Sequence, residues 1–247
     1  MKRYFLFILI ITLGIQSYGQ GLIIDNEENK PNFASIEKLF FFKEKTRRIG
    51  RKPILYTAED SLAIYLFKKN RIITIVYVQD ERSINYALEF MNISDTVKVR
   101  CHRNQKKPII TNKNDDNDSI MGLEIKEQLI YSHLWNGVEV VFQKNKTTLN
   151  CDFHIAPYTE PKVIQFRITN AINLEINDAG MLEIITPLGV FQKNKPTAYQ
   201  KNGNEKVIIE SHYKVEEKIV HFQIGAYDST KKLVISNIGL LNPKGSK

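Results

Sequence analysis

The chain has 247 residues, 43% of them hydrophobic and 25% charged, with a formal net charge of +8 at pH 7. That length carries one large domain or two small ones around a real core. The basic residues are scattered among Ile and Asn rather than gathered with aromatics in a stripe, which argues against nucleic acid as a partner.

Lys2 and Arg3 precede the apolar run Tyr4–Ile15, and Ser17-Tyr18-Gly19 offers the small residues a signal peptidase needs. Residues 1–19 therefore read as a signal peptide cleaved before Gln20. The run is too short to cross ~30 Å of hydrocarbon, and no later run reaches that length, so the trimmed chain is expected not to span a membrane. It is expected in the periplasm or at the cell surface. Residues 20–35 are polar and mixed and read as a mobile leader. Ser35 can cap a helical turn just after it.

From 36 to 240 the chain reads as one β-rich domain. Period-two or β-rich runs fall at 38–43, 53–57, 62–68, 72–79, 85–92 and 96–102. Arg103–Ser119, with Asn114-Asp-Asp-Asn-Asp118, lacks apolar periodicity and reads as a long loop between an N-terminal half (36–102) and a C-terminal half (120–240). Further runs follow at 129–134, 138–143, 148–155, 163–168, 172–176, 181–185, 189–192, 197–200, 206–215, 218–226 and 232–235, with 241–247 left as a tail. Asn136-Gly137, Asn177-Asp-Ala-Gly180 and Asn202-Gly-Asn204 mark turns. Many short antiparallel strands predict an all-β fold: an antiparallel β-sandwich, single or as two packed or fused sandwiches.

Cys101 and Cys151 are the chain's two cysteines, each at the apolar phase of an alternating stretch. In an oxidising compartment they can close a loop of about 50 residues, a constraint of ~4 kcal/mol in the chain-entropy view, or stay as two separate buried thiols.

Several segments together carry a resemblance. They are Tyr131-Ser-His-Leu-Trp-Asn-Gly137-Val-Glu-Val-Val-Phe142, Leu149-Asn-Cys-Asp152-Phe, Lys195-Pro-Thr-Ala-Tyr199-Gln200, Gly225-Ala-Tyr227-Asp228 and Leu233-Val-Ile235. In order and spacing the chain resembles an uncharacterised exported β-rich domain (DUF7948-like) that usually precedes SBBP-type β-propeller repeats in bacterial surface proteins. The resemblance covers the C-terminal half well and the N-terminal half loosely. It implies export and a surface role, and no activity. Where the family continues with Asp-Pro into the first propeller blade, this chain reads Ser236-Asn237, which suggests a stand-alone copy, either an accessory or a truncated relative.

Chemistry in the residues themselves is sparse. There is no Gly-rich phosphate loop, Cys-x-x-Cys pair, HExxH or nucleophile elbow. If Gln143 faces Thr148 in the 138–155 hairpin, Glu139 faces Asp152, and Arg167 can join them from the next strand. Such a trio can hold a hard cation such as Ca²⁺, act as the acid and base of a glycosidase, or bind a polar ligand. The plainer reading is a salt-bridge ladder on a sheet face. If Val215-Glu-Glu-Lys218 is a tight turn, His212 faces His221, with Glu210 along the same face as a weak third metal ligand. Trp135, the lone tryptophan, is a candidate sugar platform or a packed aromatic. Gly137, Tyr199, Gln200, Gly225, Tyr227 and Asp228 read as fold-specifying positions, with the tyrosine hydroxyls tying strand ends and Asp228 capping a turn. Asp60-Ser-Leu, Asp95-Thr-Val and Asp118-Ser-Ile have the form of O-glycosylation triplets. No cofactor is expected. The expected function is that of a non-enzymatic module binding a cell-envelope protein or glycan; the alternative is a carbohydrate-active enzyme built on Glu139 and Asp152.

Overall fold

The structure, a computed structural model, describes residues 42–43, 48–49, 52–59, 63–77, 83–105, 125–145, 148–239 and 242–243. The signal-peptide and leader segments, the turn at Ser35 and most of the 103–119 loop lie outside the described residues.

Among the described residues the strands form two large antiparallel sheets and two small ones, and no α-helix occurs. The eight-stranded sheet runs, in spatial order, Phe42–Lys43, Tyr56–Glu59, Ala63–Phe67, Arg71–Tyr77, Ser83–Phe90, Phe166–Thr169, Ile219–Ile224 and Ser211–Glu216. The seven-stranded sheet runs Glu205–Ile209, Thr197–Asn202, Leu233–Gly239, Thr148–Ile155, Val138–Asn145, Ile125–Trp135 and Lys98–Gln105. A four-stranded sheet combines Asn173–Ile176, Leu182–Thr186, Gly189–Lys193 and Asn242–Pro243. One expectation is corrected here: residues 103–105 belong to a strand rather than the loop. Within the expected tail, Asn242–Pro243 pairs with Phe191 and Gln192.

Alternation drives the layering. In the central hairpin Val138, Val140, Phe142, Cys151, Phe153 and Ile155 are all buried on one face, while Glu139, Gln143, Asp152 and His154 alternate to the other. The facing sheet supplies Phe67, Phe90, Phe166 and Phe222. Rings meet edge-on across the gap: Phe67 on Phe142 at 5.3 Å, Phe90 on Tyr131 at 5.8 Å and Phe153 on Phe222 at 5.3 Å. Each such pair adds ~0.5–1.5 kcal/mol beyond its buried area. Leu174, Leu182, Ile184 and Phe191 of the four-stranded sheet extend the same core, making this an antiparallel sandwich, while Ile54, Ile64, Leu66 and Ile75 form a second, smaller buried cluster.

The two cysteines occupy one row of the seven-stranded sheet. Cys101 pairs with Leu129, Leu129 with Phe142 and Phe142 with Cys151. Three inter-strand steps are ~14 Å, about twice the Cα separation a disulfide tolerates. Cys101 is half-buried and Cys151 buried, both as free thiols. Protein prepared without reductant and then denatured is expected to titrate both thiols with a chromogenic disulfide reagent. A chain with no titratable thiol contradicts this register.

Turn chemistry fixes the corners. Gly137 has φ 75°, and a Cβ there would lie 2.0 Å from the Thr159 hydroxyl oxygen, so only glycine fits between Trp135 and Val138. Gln200 is buried and clasps the following turn: its amide donates to the carbonyls of Asp228 at 2.7 Å and Lys231 at 3.2 Å and accepts from the Asp228 N–H at 2.9 Å. Asp228 accepts from the Thr230 N–H at 2.9 Å and hydroxyl at 2.6 Å, and these bonds hold its carboxyl below its usual range. Gly225 donates to the Glu210 carbonyl at 2.9 Å, and a Cβ there would press on the Glu210 Cβ at 3.2 Å. Tyr227 packs half-buried against the core.

Candidate functional site

Glu139 and Asp152 both lie on the outer face of the seven-stranded sheet, but they do not face each other. Glu139 pairs with His154, and Asp152 pairs with Val141. The hairpin closes on Asn145 and Thr148, tighter by two residues than the register that opposes the carboxylates. A two-residue shift keeps every side chain on its face and moves every partner. Glu139 and Asp152 are thus diagonal neighbours, their backbones ~7–8 Å apart, rather than a directly opposed pair.

Each has ordinary company. Glu139 accepts from the Ser132 hydroxyl at 3.3 Å and lies 3.8 Å from His154 Nδ1. Burial first, then the Lys232 ammonium, push His154 below its usual range, with Glu139 pulling the other way. The imidazole is therefore neutral near pH 7, and its contact with Glu139 is polar rather than an ion pair. Lys232 Nζ stands 3.3 Å from His154 Nδ1. Asp152 accepts from the Gln143 amide at 3.1 Å.

Arg167 is not part of this group. It sits on the eight-stranded sheet, opposite Glu89 and Ile219, and points outward because Phe166 and Ile168 on either side are buried. The core lies between it and the two carboxylates. Trp135 also leaves the candidate list. It is 3% exposed, donates from Nε1 to the Met91 carbonyl at 2.7 Å and meets Phe90 edge-on at 5.7 Å, so it packs the core and offers no stacking face.

The histidine pair moves in the same way. The hairpin closes on Glu216 and Ile219 through Glu217 (φ 49°) and Lys218 (φ 65°), a two-residue turn that places His212 opposite Gln223 and His221 opposite Lys214. His212 Nε2 binds Glu210 Oε1 at 3.0 Å, and His221 Nε2 lies 3.7 Å from Glu216 Oε2. Among the described residues no group of three His, Cys, Asp or Glu side chains is placed to hold a metal ion.

What the sequence did not single out lies at the end of the seven-stranded sheet. The run 206–215, read as one strand, is two: Glu205–Ile209 ends this sheet, and Ser211–Glu216 ends the other. The chain crosses between layers at Glu210. Beside the crossing is a cleft of about 600 Å³, lined among others by Met181, Asn194, Lys195, Thr197, Ile208 and Glu210. Ile208 is 65% exposed and Val207 51% exposed. Along the outer face Ile208 pairs with Tyr199, Tyr199 with Val234 and Val234 with His154, so the cleft and the Glu139 region share one surface. Three apolar residues in succession, Val207-Ile208-Ile209, were the available signal, because strict alternation fails there.

A family model described as a domain of unknown function (DUF7948) matches residues 49–236. No curated protein and no solved structure matches the chain. Among the described residues no helix is long and apolar enough to cross a membrane.

Proposed function

The chain belongs to the DUF7948 family, and from that premise we propose that it is an exported, non-enzymatic module that binds a protein or glycan of the cell envelope through the outer face and edge of its seven-stranded sheet. The observation that carries this is the exposed terminal strand Glu205–Ile209, with Ile208 solvated on the outer face where it lines a cleft and Val207 solvated on the other face of the same edge. Exposed apolar residues grouped at a sheet edge are costly in isolation and mark interaction sites. Export rests on Lys2, Arg3 and the Tyr4–Ile15 run. The carbohydrate-active alternative needs two carboxylates in a water-excluding hollow. Here Glu139 faces His154, and neither Glu139 nor Asp152 lines the cleft.

Immobilised protein is expected to retain a component of a cell-envelope extract or glycan array. Glu139→Gln and Asp152→Asn are expected to leave that retention unchanged and to leave a panel of soluble polysaccharides uncut by wild type and variants alike. Polysaccharide cleavage lost in either variant would overturn the reading in favour of an enzyme.

A further inference from the structure

Strand Glu205–Ile209 pairs with Thr197–Asn202 on one side and, among the described residues, with nothing on the other. Among the described residues no strand pairs with the backbone N–H and C=O groups along that open side. Four of its five residues are exposed. On the outer face Lys206 and Ile208 alternate on the edge strand beside Lys201 and Tyr199 on its neighbour. Lys206 stands directly across from Lys201. Like charges so placed destabilise a sheet. Lys206 leans over the Tyr199 ring, 4.2 Å from its centre, and among the described residues neither ammonium makes an ion pair. At the far end of the strand Lys195 lines the cleft with Ile208. Glu210, the nearby acid, is already held by the hydrogen bond from His212, which keeps its carboxyl below its usual range.

We propose that this edge is a strand-addition site that takes an extended acidic segment of a partner protein, with an acid beside Lys206 and Lys201 and an apolar residue two positions away beside Ile208 and the cleft. The inference rests on the binding-module reading and specifies its partner. Added strands gain affinity from main-chain hydrogen bonds and specificity from alternate side chains. Period two puts the acid and the apolar residue on one face, in step with Lys206 and Ile208. The acid also neutralises the opposed lysines, a gain available only on binding. A second copy of this chain is the wrong occupant, because it brings its own Lys201 and Lys206 to the same edge.

The probe is a short fluorescent peptide alternating Asp and Val, titrated with the full chain and read by anisotropy. Two controls accompany it: the Lys-Val counterpart, and the Asp-Val peptide N-methylated at alternate residues. The Asp-Val peptide is expected to bind about tenfold or more tightly than the Lys-Val peptide, and less tightly as salt rises. N-methylation is expected to abolish binding. The double variant Lys201→Glu/Lys206→Glu changes only exposed side chains, and circular dichroism checks its fold; it is expected to reverse the peptide preference. Binding indifferent to N-methylation, or a preference that survives charge reversal, overturns the site, as does sedimentation of the free chain as a dimer through this edge. If the charge-reversed chain still retains its envelope component, the edge site falls and the binding-module reading stands. If neither chain retains anything, it is that reading that falls.

Discussion

Trp135→Ala is expected to lower the unfolding free energy by about 3–5 kcal/mol, read as a shift of the urea midpoint. The indole is 3% exposed between Phe90 and Phe153, with centroids at 5.7 Å and 6.3 Å, so truncation opens a cavity that two facing sheets cannot close by local relaxation. It also strands the Met91 carbonyl, whose bond from Nε1 is 2.7 Å long. Against a typical domain stability of ~5–15 kcal/mol this is a large fraction. Trp135→Phe keeps most of the volume and loses the hydrogen bond, so it should cost about 1–3 kcal/mol. A change below about 0.5 kcal/mol in the alanine variant would return the tryptophan to the surface as a ligand platform.

The second large effect is a pH dependence set by Lys193. Its side chain is 1% exposed on the inner strand of the four-stranded sheet, and burial pushes its ammonium down to about 8, with Cys151 working weakly the other way. An unfolded lysine titrates near ~10.4. Below about pH 8 both states carry the proton, so stability from this group is flat and the burial penalty is felt in full. Between about pH 8 and 10 the unfolded chain binds more protons than the folded one, and stability rises with pH.

Cys151 opposes this. Burial, and then Asp152, raise its thiol well above the usual value, so its contribution is lost as pH climbs past ~8.5. Cys151→Val isolates the lysine: that variant is expected to gain about 2 kcal/mol between pH 7.5 and 9.5. Adding Lys193→Met should remove the rise. A Cys151→Val chain whose stability falls or stays level over that range would place the ammonium in water.

Much of the architecture is legible in the residues. Alternation in Val138-Glu-Val-Val-Phe142 and Leu149-Asn-Cys-Asp-Phe153 assigns each side chain to its face, and the core confirms those faces. Partners are harder to read, because period two tells a residue's face but not its opposite number. The first hairpin closes two residues tighter than expected and the second turns one residue later along the chain; each change keeps the faces, and together they separate Glu139 from Asp152 and His212 from His221. At the second hairpin Glu217 and Lys218 adopt left-handed conformations that their side chains rarely favour, so turn composition misled.

The change of sheet at Glu210 left no glycine or proline to mark it. Arg167 could be given a face, but not a sheet. Lys193 had a usable signal, since it shares the phase of Phe191 two residues earlier. Lys201 against Lys206 was also readable, because the Asn202-Gly-Asn204 turn sets that register.

The hairpin register decides whether the outer face holds a catalytic pair or a binding surface, and backbone proton contacts across Val138–Asn145 and Thr148–Ile155 report it most directly. With uniformly labelled protein, close Hα–Hα contacts are expected between Val140 and Phe153 and between Phe142 and Cys151. Contacts instead between Val140 and Cys151 and between Phe142 and Leu149 would set Glu139 against Asp152 and contradict the account.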